Sequence, residues 1–231
     1  MASTWPGFFV SFEGVDGAGK SLQMAEAAAA LRKAPGVTEL LTAREPGDTA
    51  LGDLARAFLL QHQVASPIDP WAEALVFVAA RAQLLQEVVL PALRRGAVVL
   101  TDRFVDSTLA YQGGGRGLPE SVLRAVHRET CGDVWPDLTI LLDLPLETAR
   151  ARRHAQELPL DRMEATPEQF QYAVHDTFRR LAAAEPGRIA VVDADRPPVA
   201  VSEDVVALVS ARYAAHRTPQ GAAPPAVAGR S

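Results

Sequence analysis

The chain has 231 residues, is 48% hydrophobic and carries a formal net charge of −5, with no Lys/Arg-rich block; it has material for a sizeable core but lacks the basic footprint that a polymeric nucleic acid demands. Its one cysteine, Cys131, excludes an internal disulfide, fits a reducing compartment and reads as a small buried hydrophobe. No run reaches the roughly 18 apolar residues of a membrane span, and the N-terminus lacks the basic and apolar regions of a secretory signal, so the expected setting is cytoplasmic.

Residues 8–12, Phe-Phe-Val-Ser-Phe, form the short apolar run expected of a buried parallel strand. They lead into Gly14-Val15-Asp16-Gly17-Ala18-Gly19-Lys20-Ser21, a complete G-x-x-x-x-G-K-[ST] loop, and then into an Ala-, Leu- and Gln-rich helix at 21–32. Strand, Gly-rich turn and helix make a phosphate cradle. The glycines let backbone N–H groups approach phosphate oxygens, and the helix N-terminus adds partial positive charge. Lys20 would reach the β/γ-phosphates as a point charge and the Ser21 hydroxyl would ligate Mg²⁺. Among 23 basic residues only Lys20 and Lys33 are lysines, so the loop position stands out in a chain that otherwise uses arginine.

Further strands are expected at 38–42, 97–101, 138–143 and 189–193, separated by helices at 49–60, 70–93, 119–131, 145–153, 167–185 and 199–215. Five strands with helical crossovers imply an α/β architecture, a five-stranded parallel sheet with helices on both faces over 1–217, whose ligands bind beyond the C-terminal strand ends. Residues 218–231, rich in Pro, Ala and Gly, read as a disordered tail. Polar residues follow each strand: Arg44-Glu45-Pro46-Gly47, Asp102-Arg103, Asp143, and Asp193-Ala194-Asp195-Arg196. Arg44 and Arg103 thereby flank the phosphate loop, where two guanidiniums suit a second phosphate. One phosphate loop beside a second anion site implies transfer between two phosphorylated molecules.

Several further segments keep company with the loop: Phe12-Glu13-Gly14, Phe77-Val78-Ala79-Ala80-Arg81, Asp102-Arg103-Phe104, Ser107 through Tyr111-Gln112-Gly113, and Leu160-Asp161-Arg162-Met163-Glu164. With these in order the chain resembles the thymidylate kinase family from residue 8 to about 212, in its bacterial form with arginines in a lid. The resemblance implies a P-loop NTPase fold with a short lid at about 150–161, ATP and dTMP as small-molecule substrates, Mg²⁺, dTDP as product, and a homodimer packed through helices such as 70–93. It implies that Asp16 hydrogen-bonds the acceptor 3′-hydroxyl, that Phe77 stacks on the base and that Arg81 bonds thymine O4. It also has Arg103 clamp the acceptor phosphate with help from Arg44, and Asp102 either hold a Mg²⁺ water or orient Arg103. Ser107, Thr108, Tyr111 and Gln112 would line the acceptor pocket, with Tyr111 against the sugar. Arg153 is favoured as the catalytic lid residue over Arg150 and Arg162, and Glu164 would touch Mg²⁺ or support the lid. Ala194, Asp195 and Arg196 are placed to border the adenine.

Two positions depart from the family pattern: Thr108, where Asn is frequent, and Asp48, where a second glycine is usual and which is read here as a cap for the next helix. The nearest rival is a kinase of the same fold for another pyrimidine monophosphate such as dUMP; an inactive ATP-binding scaffold is a second. A GTPase-like switch would need an Asn-Lys-x-Asp guanine reader, and the chain contains no Asn.

Overall fold

The computed structural model describes residues 5–60, 67–155 and 161–217; the expected tail at 218–231 and residues 156–160 of the expected lid lie outside them. One sheet of five parallel strands runs in the order β2-β3-β1-β4-β5. The strands are β1 Phe8–Glu13, β2 Leu40–Arg44, β3 Val98–Asp102, β4 Leu138–Asp143 and β5 Ile189–Asp193. β4 and β5 fall on the residues expected. β2 lies two residues later than its apolar run, because pairing sets its ends: Leu40 faces Val98 and Arg44 faces Asp102. Every residue of β1 is buried, as a central strand covered on both faces requires.

The helices are α1 Lys20–Leu31, α2 Ala50–Leu60, α3 Pro70–Leu84, α4 Leu90–Arg94, α5 Val105–Thr108, α6 Glu120–Cys131, α7 Leu146–His154, α8 Glu168–Ala184 and α9 Pro198–Arg217. α1 packs on α9, and α8 lies against β4 and β5. The helix expected at 70–93 is interrupted by a π-helical turn, Leu85–Val89, just ahead of Pro91, which has no N–H to continue the ladder. By length and composition Pro70–Arg94 is apolar enough to cross a membrane, although charged residues interrupt it before any apolar run reaches that length. Yet it carries the fully buried, ion-paired Glu73 and Arg81 and packs into the interior, as a core helix does.

A second helical stretch was not anticipated at all. α5 runs straight into a π-helical segment, Leu109–Gly115, whose Tyr-Gln-Gly-Gly-Gly sequence has low helix propensity. Packing explains it: a Cβ on Gly114 would lie 2.1 Å from Thr177 Oγ1, and one on Gly115 2.3 Å from the Phe170 ring. Only glycine lets this segment lie against α8.

Asp106 of α5 is held from below by a buried polar chain. Arg188 donates to both of its oxygens at 2.6 and 2.8 Å, Thr139 donates at 3.1 Å, and Ser11 joins through Thr139 at 2.9 Å. This pins the site-bearing α5 to the centre of the sheet. Arg188→Ala leaves a buried carboxylate without its cation and is expected to cost about 3–5 kcal/mol in urea unfolding. A loss below about 1 kcal/mol would show that Asp106 does not depend on this pair.

Candidate active site

The phosphate loop leaves the C-terminal end of β1 and turns into α1. Gly17 has φ 88, and a Cβ there would sit 2.2 Å from the Ala149 carbonyl oxygen, so the loop lies directly beneath α7. Lys20 opens α1 with its side chain folded over the loop: Nζ donates to the carbonyls of Gly14 (3.1 Å) and Val15 (3.0 Å) and lies 3.7 Å from Asp16. Burial, assisted by the Arg103 charge, lowers Lys20 below the ordinary lysine range. At the far side of the loop the Ser21 hydroxyl donates to Asp102 Oδ2 at 2.8 Å. The two residues expected to serve Mg²⁺ are therefore adjacent.

Arg103 is the hub. Its backbone has φ 71, a left-handed conformation that costs a non-glycine residue about 1–3 kcal/mol. Glu13, the last residue of β1, secures it: the Phe104 N–H donates to Glu13 Oε1 (2.7 Å) and the Ser107 hydroxyl to Oε2 (2.6 Å). The Arg103 guanidinium donates to Gly14 O (3.2 Å), Ser107 Oγ (3.1 Å), Tyr111 Oη (3.3 Å) and the Asp16 carboxylate. Burial alone would lower Arg103, but the Asp16 charge holds it above the usual arginine range. Burial likewise works to raise Asp16, yet Arg103 and Lys20 keep it well below the usual carboxylate range. The Tyr111 hydroxyl, pushed up by burial, stays protonated and donates to Asp16 at 3.1 Å.

Eight of the nine expected acceptor residues, Asp16, Phe77, Arg81, Arg103, Ser107, Thr108, Tyr111 and Gln112, line one cavity. Arg81 is no surface charge: it is fully buried, donates through Nε to Glu45 Oε2 (3.0 Å) and through Nη2 to Glu45 Oε1 and Thr108 Oγ1 (2.6 Å). Its Nη1 is buried without a partner. Thr108 thus accepts from Arg81 and helps to fix it.

The ninth residue, Arg44, sits on the exposed rim, its guanidinium beside Gly47. Arg56 of α2 reaches the cavity wall instead and donates to Pro46 O at 3.1 Å. Sequence reading passed over Arg56, although it lies four residues after Gly52 on the inward stripe of an amphipathic helix, an unusual place for a charge. It passed over Glu13 and Glu45 as well, because their carboxylates matter only through what they hold. Asp48 is not the cap it was expected to be. Its carboxylate accepts from the Arg44 N–H (2.6 Å), and Thr49 Oγ1 caps α2 by accepting from the Gly52 N–H (2.9 Å).

A second cavity, about 320 Å³, lies over the loop and is lined by Val15, Asp16, Arg150, Arg153 and Glu164 among others. Arg153 donates to Glu164 at 2.6 and 2.9 Å, and Arg150 to Glu168 at 2.7 Å. Arg162 points elsewhere: its Nε donates to Leu59 O (2.7 Å) and its Nη2 lies 2.6 Å from Glu73. Ala194 is buried after β5, and its carbonyl accepts from Arg152 Nη1 at 2.9 Å, so α7 braces the 194–196 turn.

The family model described as thymidylate kinase matches residues 12–205. The chain is 47% identical over 203 residues to the thymidylate kinase of Thermomicrobium roseum, covering 88% of this chain and 94% of that one. It is 45% identical to that of Pseudomonas fluorescens, covering 88% and 95%. Among solved structures, thymidylate kinase from Ehrlichia chaffeensis superposes with a TM-score of 0.71 at 29% identity, covering 88% of this chain and 98% of that one.

Burial, reinforced by Asp106, raises Glu13 from an ordinary 4.5 to about 8. The folded protein then holds this proton more tightly than the unfolded chain, so Glu13 makes stability fall as pH rises from about 4.5 to about 8. Glu13→Gln removes that titration, and its urea stability is expected to depend less steeply on pH across the window than that of the wild type. Equal slopes would assign Glu13 an ordinary proton affinity.

Proposed function

Since the chain belongs to the thymidylate kinase family, it catalyses ATP-dependent phosphorylation of dTMP to dTDP, and we propose that its two adjoining cavities divide the work between acceptor and donor. The observation that carries this reading is the pairing of a buried, unpartnered donor, Arg81 Nη1, with Phe77 in one cavity that also holds Arg103. A 4-oxo pyrimidine stacked on Phe77 supplies the acceptor that Arg81 lacks, and its 5′-phosphate meets Arg103. Asp16 and Tyr111 meet the sugar, and Ser107, Thr108 and Gln112 complete the wall.

ATP lies over the loop at 14–21, its phosphates on the backbone N–H groups. Lys20 exchanges the carbonyls of Gly14 and Val15 for phosphate oxygens. Ser21 and Asp102 fit Mg²⁺, being adjacent hard oxygen donors at the loop's end. No cluster of three or more His, Cys, Asp or Glu side chains surrounds them among the described residues. That is the sparse protein ligation Mg²⁺ accepts when phosphates and water fill the other positions. When bound, the ion neutralises phosphate charge.

An acceptor phosphate oxygen is already anionic at neutral pH, so attack on the γ-phosphorus requires no strong base. The protein aligns the two anions and stabilises charge on the transferring group. Arg153 is assigned the latter task, with Arg150 beside it; Glu164 supports Arg153. Ala194 borders the adenine. The exposed apolar residues Leu51, Leu54 and Phe58 of α2 and Leu75 of α3 support a homodimer through this helix pair. We place the enzyme in the cytoplasm, consistent with its single reduced, buried Cys131.

ADP release with ATP and Mg²⁺ should be strongest with dTMP among dTMP, dUMP, dCMP and dGMP; a preference for another monophosphate would overturn the acceptor assignment. Lys20→Ala and Arg103→Ala should each lower kcat by about 10³-fold or more while the folded circular-dichroism spectrum persists. Near-normal kcat in either would remove that residue from the mechanism. Arg153→Met should lower kcat by about 10³-fold or more, and Arg150→Met by distinctly less; the reverse order would move the phosphoryl-contacting role to Arg150.

A further inference from the structure

Glu73 is fully buried on α3, one turn before Phe77, and the mechanism above does not use it. Its carboxylate gathers donors from separate segments of the chain. Gln112 Nε2 donates at 2.9 Å, Arg116 donates through Nε at 3.1 Å and Nη2 at 3.0 Å, and Arg162 Nη2 lies 2.6 Å away. A carboxylate enclosed in this way needs a reason beyond packing, because an apolar side chain of similar volume would cost the fold less.

The chemistry of the donors dictates one arrangement. An ionised carboxylate only accepts, so Gln112 must turn its NH₂ toward Glu73 and its Oε1 away from it. Two guanidiniums keep Glu73 in that acceptor-only form. Although burial works to raise it, the bonds from Arg116 and Gln112 and the Arg162 guanidinium 2.6 Å away hold it below the usual glutamate range.

Gln112 is 1% exposed and lines the acceptor cavity, and no described residue donates to its Oε1. Arg81, whose Nη1 is buried without a partner, lines the same cavity. Two residues of one wall thus carry an unspent donor, on Arg81, and an unspent acceptor, on Gln112. A pyrimidine with a 4-oxo group and an N3–H matches both. A 4-amino pyrimidine, with an N–H at position 4 and a bare N3, meets donor with donor and acceptor with acceptor.

We propose that Glu73 is a positioning residue that sets base specificity by locking the Gln112 amide, so that the pocket accepts 4-oxo and rejects 4-amino pyrimidine monophosphates. The proposal rests on the acceptor-pocket assignment made above. It predicts that the sense of the Gln112 amide, and with it the preference, reverses or relaxes when the carboxylate becomes an amide. In Glu73→Gln the remaining oxygen stays with Arg116 and Arg162, which can only donate. The new NH₂ faces Gln112, which turns its own oxygen inward and its NH₂ to the cavity.

The test is the ratio of kcat/KM for dTMP to that for dCMP, measured on the full chain with saturating ATP and Mg²⁺. Glu73→Gln is expected to lower the ratio by about tenfold or more, through a raised KM for dTMP, with the KM for ATP unchanged. In a Gln112→Met background, Glu73→Gln should leave the ratio where Gln112→Met alone puts it, because the group it acts through is gone. An unchanged ratio in Glu73→Gln, with activity toward both nucleotides reduced alike, overturns the proposal and leaves the acceptor assignment standing. So does a further fall in the double variant. If Glu73→Gln does not fold, Gln112→Met reads the same amide, and a wild-type ratio in that variant overturns the proposal. A wild-type enzyme with no preference for dTMP over dCMP would instead overturn the acceptor assignment itself, and the role of Glu73 with it.

Discussion

The ion pair between Asp16 and Arg103 stands between the two cavities, and Asp16 lines both. Little else in the site makes sense without it. A carboxylate inside a phosphate-binding loop is unfavourable unless a cation answers it, and a guanidinium taken out of water is costly unless its protons are all received. Arg103 places its two terminal nitrogens on Asp16, Gly14 O, Ser107 and Tyr111. To reach them it takes up a left-handed backbone, and Glu13 and the buried Asp106–Arg188 pair hold the start of α5 in the position this requires.

The arginines divide by the accessibility of what they bind. Arg188 and Arg116 face carboxylates that are 1% and 0% exposed, Asp106 and Glu73. Those partners are out of reach of any ligand, and these arginines hold structure. Arg103 and Arg153 face Asp16 and Glu164, at 31% and 11% side-chain exposure, each on the wall of a cavity. Lys20 rests on backbone carbonyls. Each cation assigned to a phosphate is therefore already satisfied within the protein, and phosphate binding becomes an exchange of acceptors. Such an exchange rewards correct placement more than charge alone. Arg81 belongs to both groups: Glu45 and Thr108 hold its Nε and Nη2, while its buried Nη1 has no partner.

What the sequence made legible is what is local. The phosphate loop is contiguous, so its strand–turn–helix context could be read directly; helical spacing puts Phe77 and Arg81 on one face, and only the family resemblance gives that face a base to bind. Arg103 and Asp102 follow from the rule that parallel strands deliver ligand-binding residues at their C-terminal ends. What escaped depends on partners distant in sequence. Glu13, Glu45 and Glu73 are ordinary glutamates until Phe104, Arg81 and Gln112 are brought to them. The helical run through Leu109–Gly115 was hidden because its glycines argue against a helix, and only contact with α8 reverses that. Arg44 and Arg56 exchanged places for a similar reason: β2 ends where β3 pairs it, so Arg44 stops at the rim, and the inward stripe of α2 brings Arg56 to the wall.

The stretch from Asp161 to Glu164 joins the two cavities in a way no single motif announces. Asp161 Oδ1 accepts from the N–H groups of Met163 and Glu164 at 2.8 and 2.9 Å, which makes the stretch a stiff turn. Asp161 and Met163 line the acceptor cavity, while Glu164, one residue on, holds Arg153 in the cavity over the loop. Arg162 anchors the turn to Glu73, the same carboxylate that orients Gln112. Arg153 and Gln112, in different cavities, are therefore both tied to one short segment, through Glu164 and through Arg162 and Glu73. Of Arg150, Arg153 and Arg162, only Arg162 faces a fully buried partner, Glu73, whereas Glu164 and Glu168 are 11% and 59% exposed. Arg162 therefore anchors the turn, while Arg153 and Arg150 pair with carboxylates on the wall of the cavity over the loop.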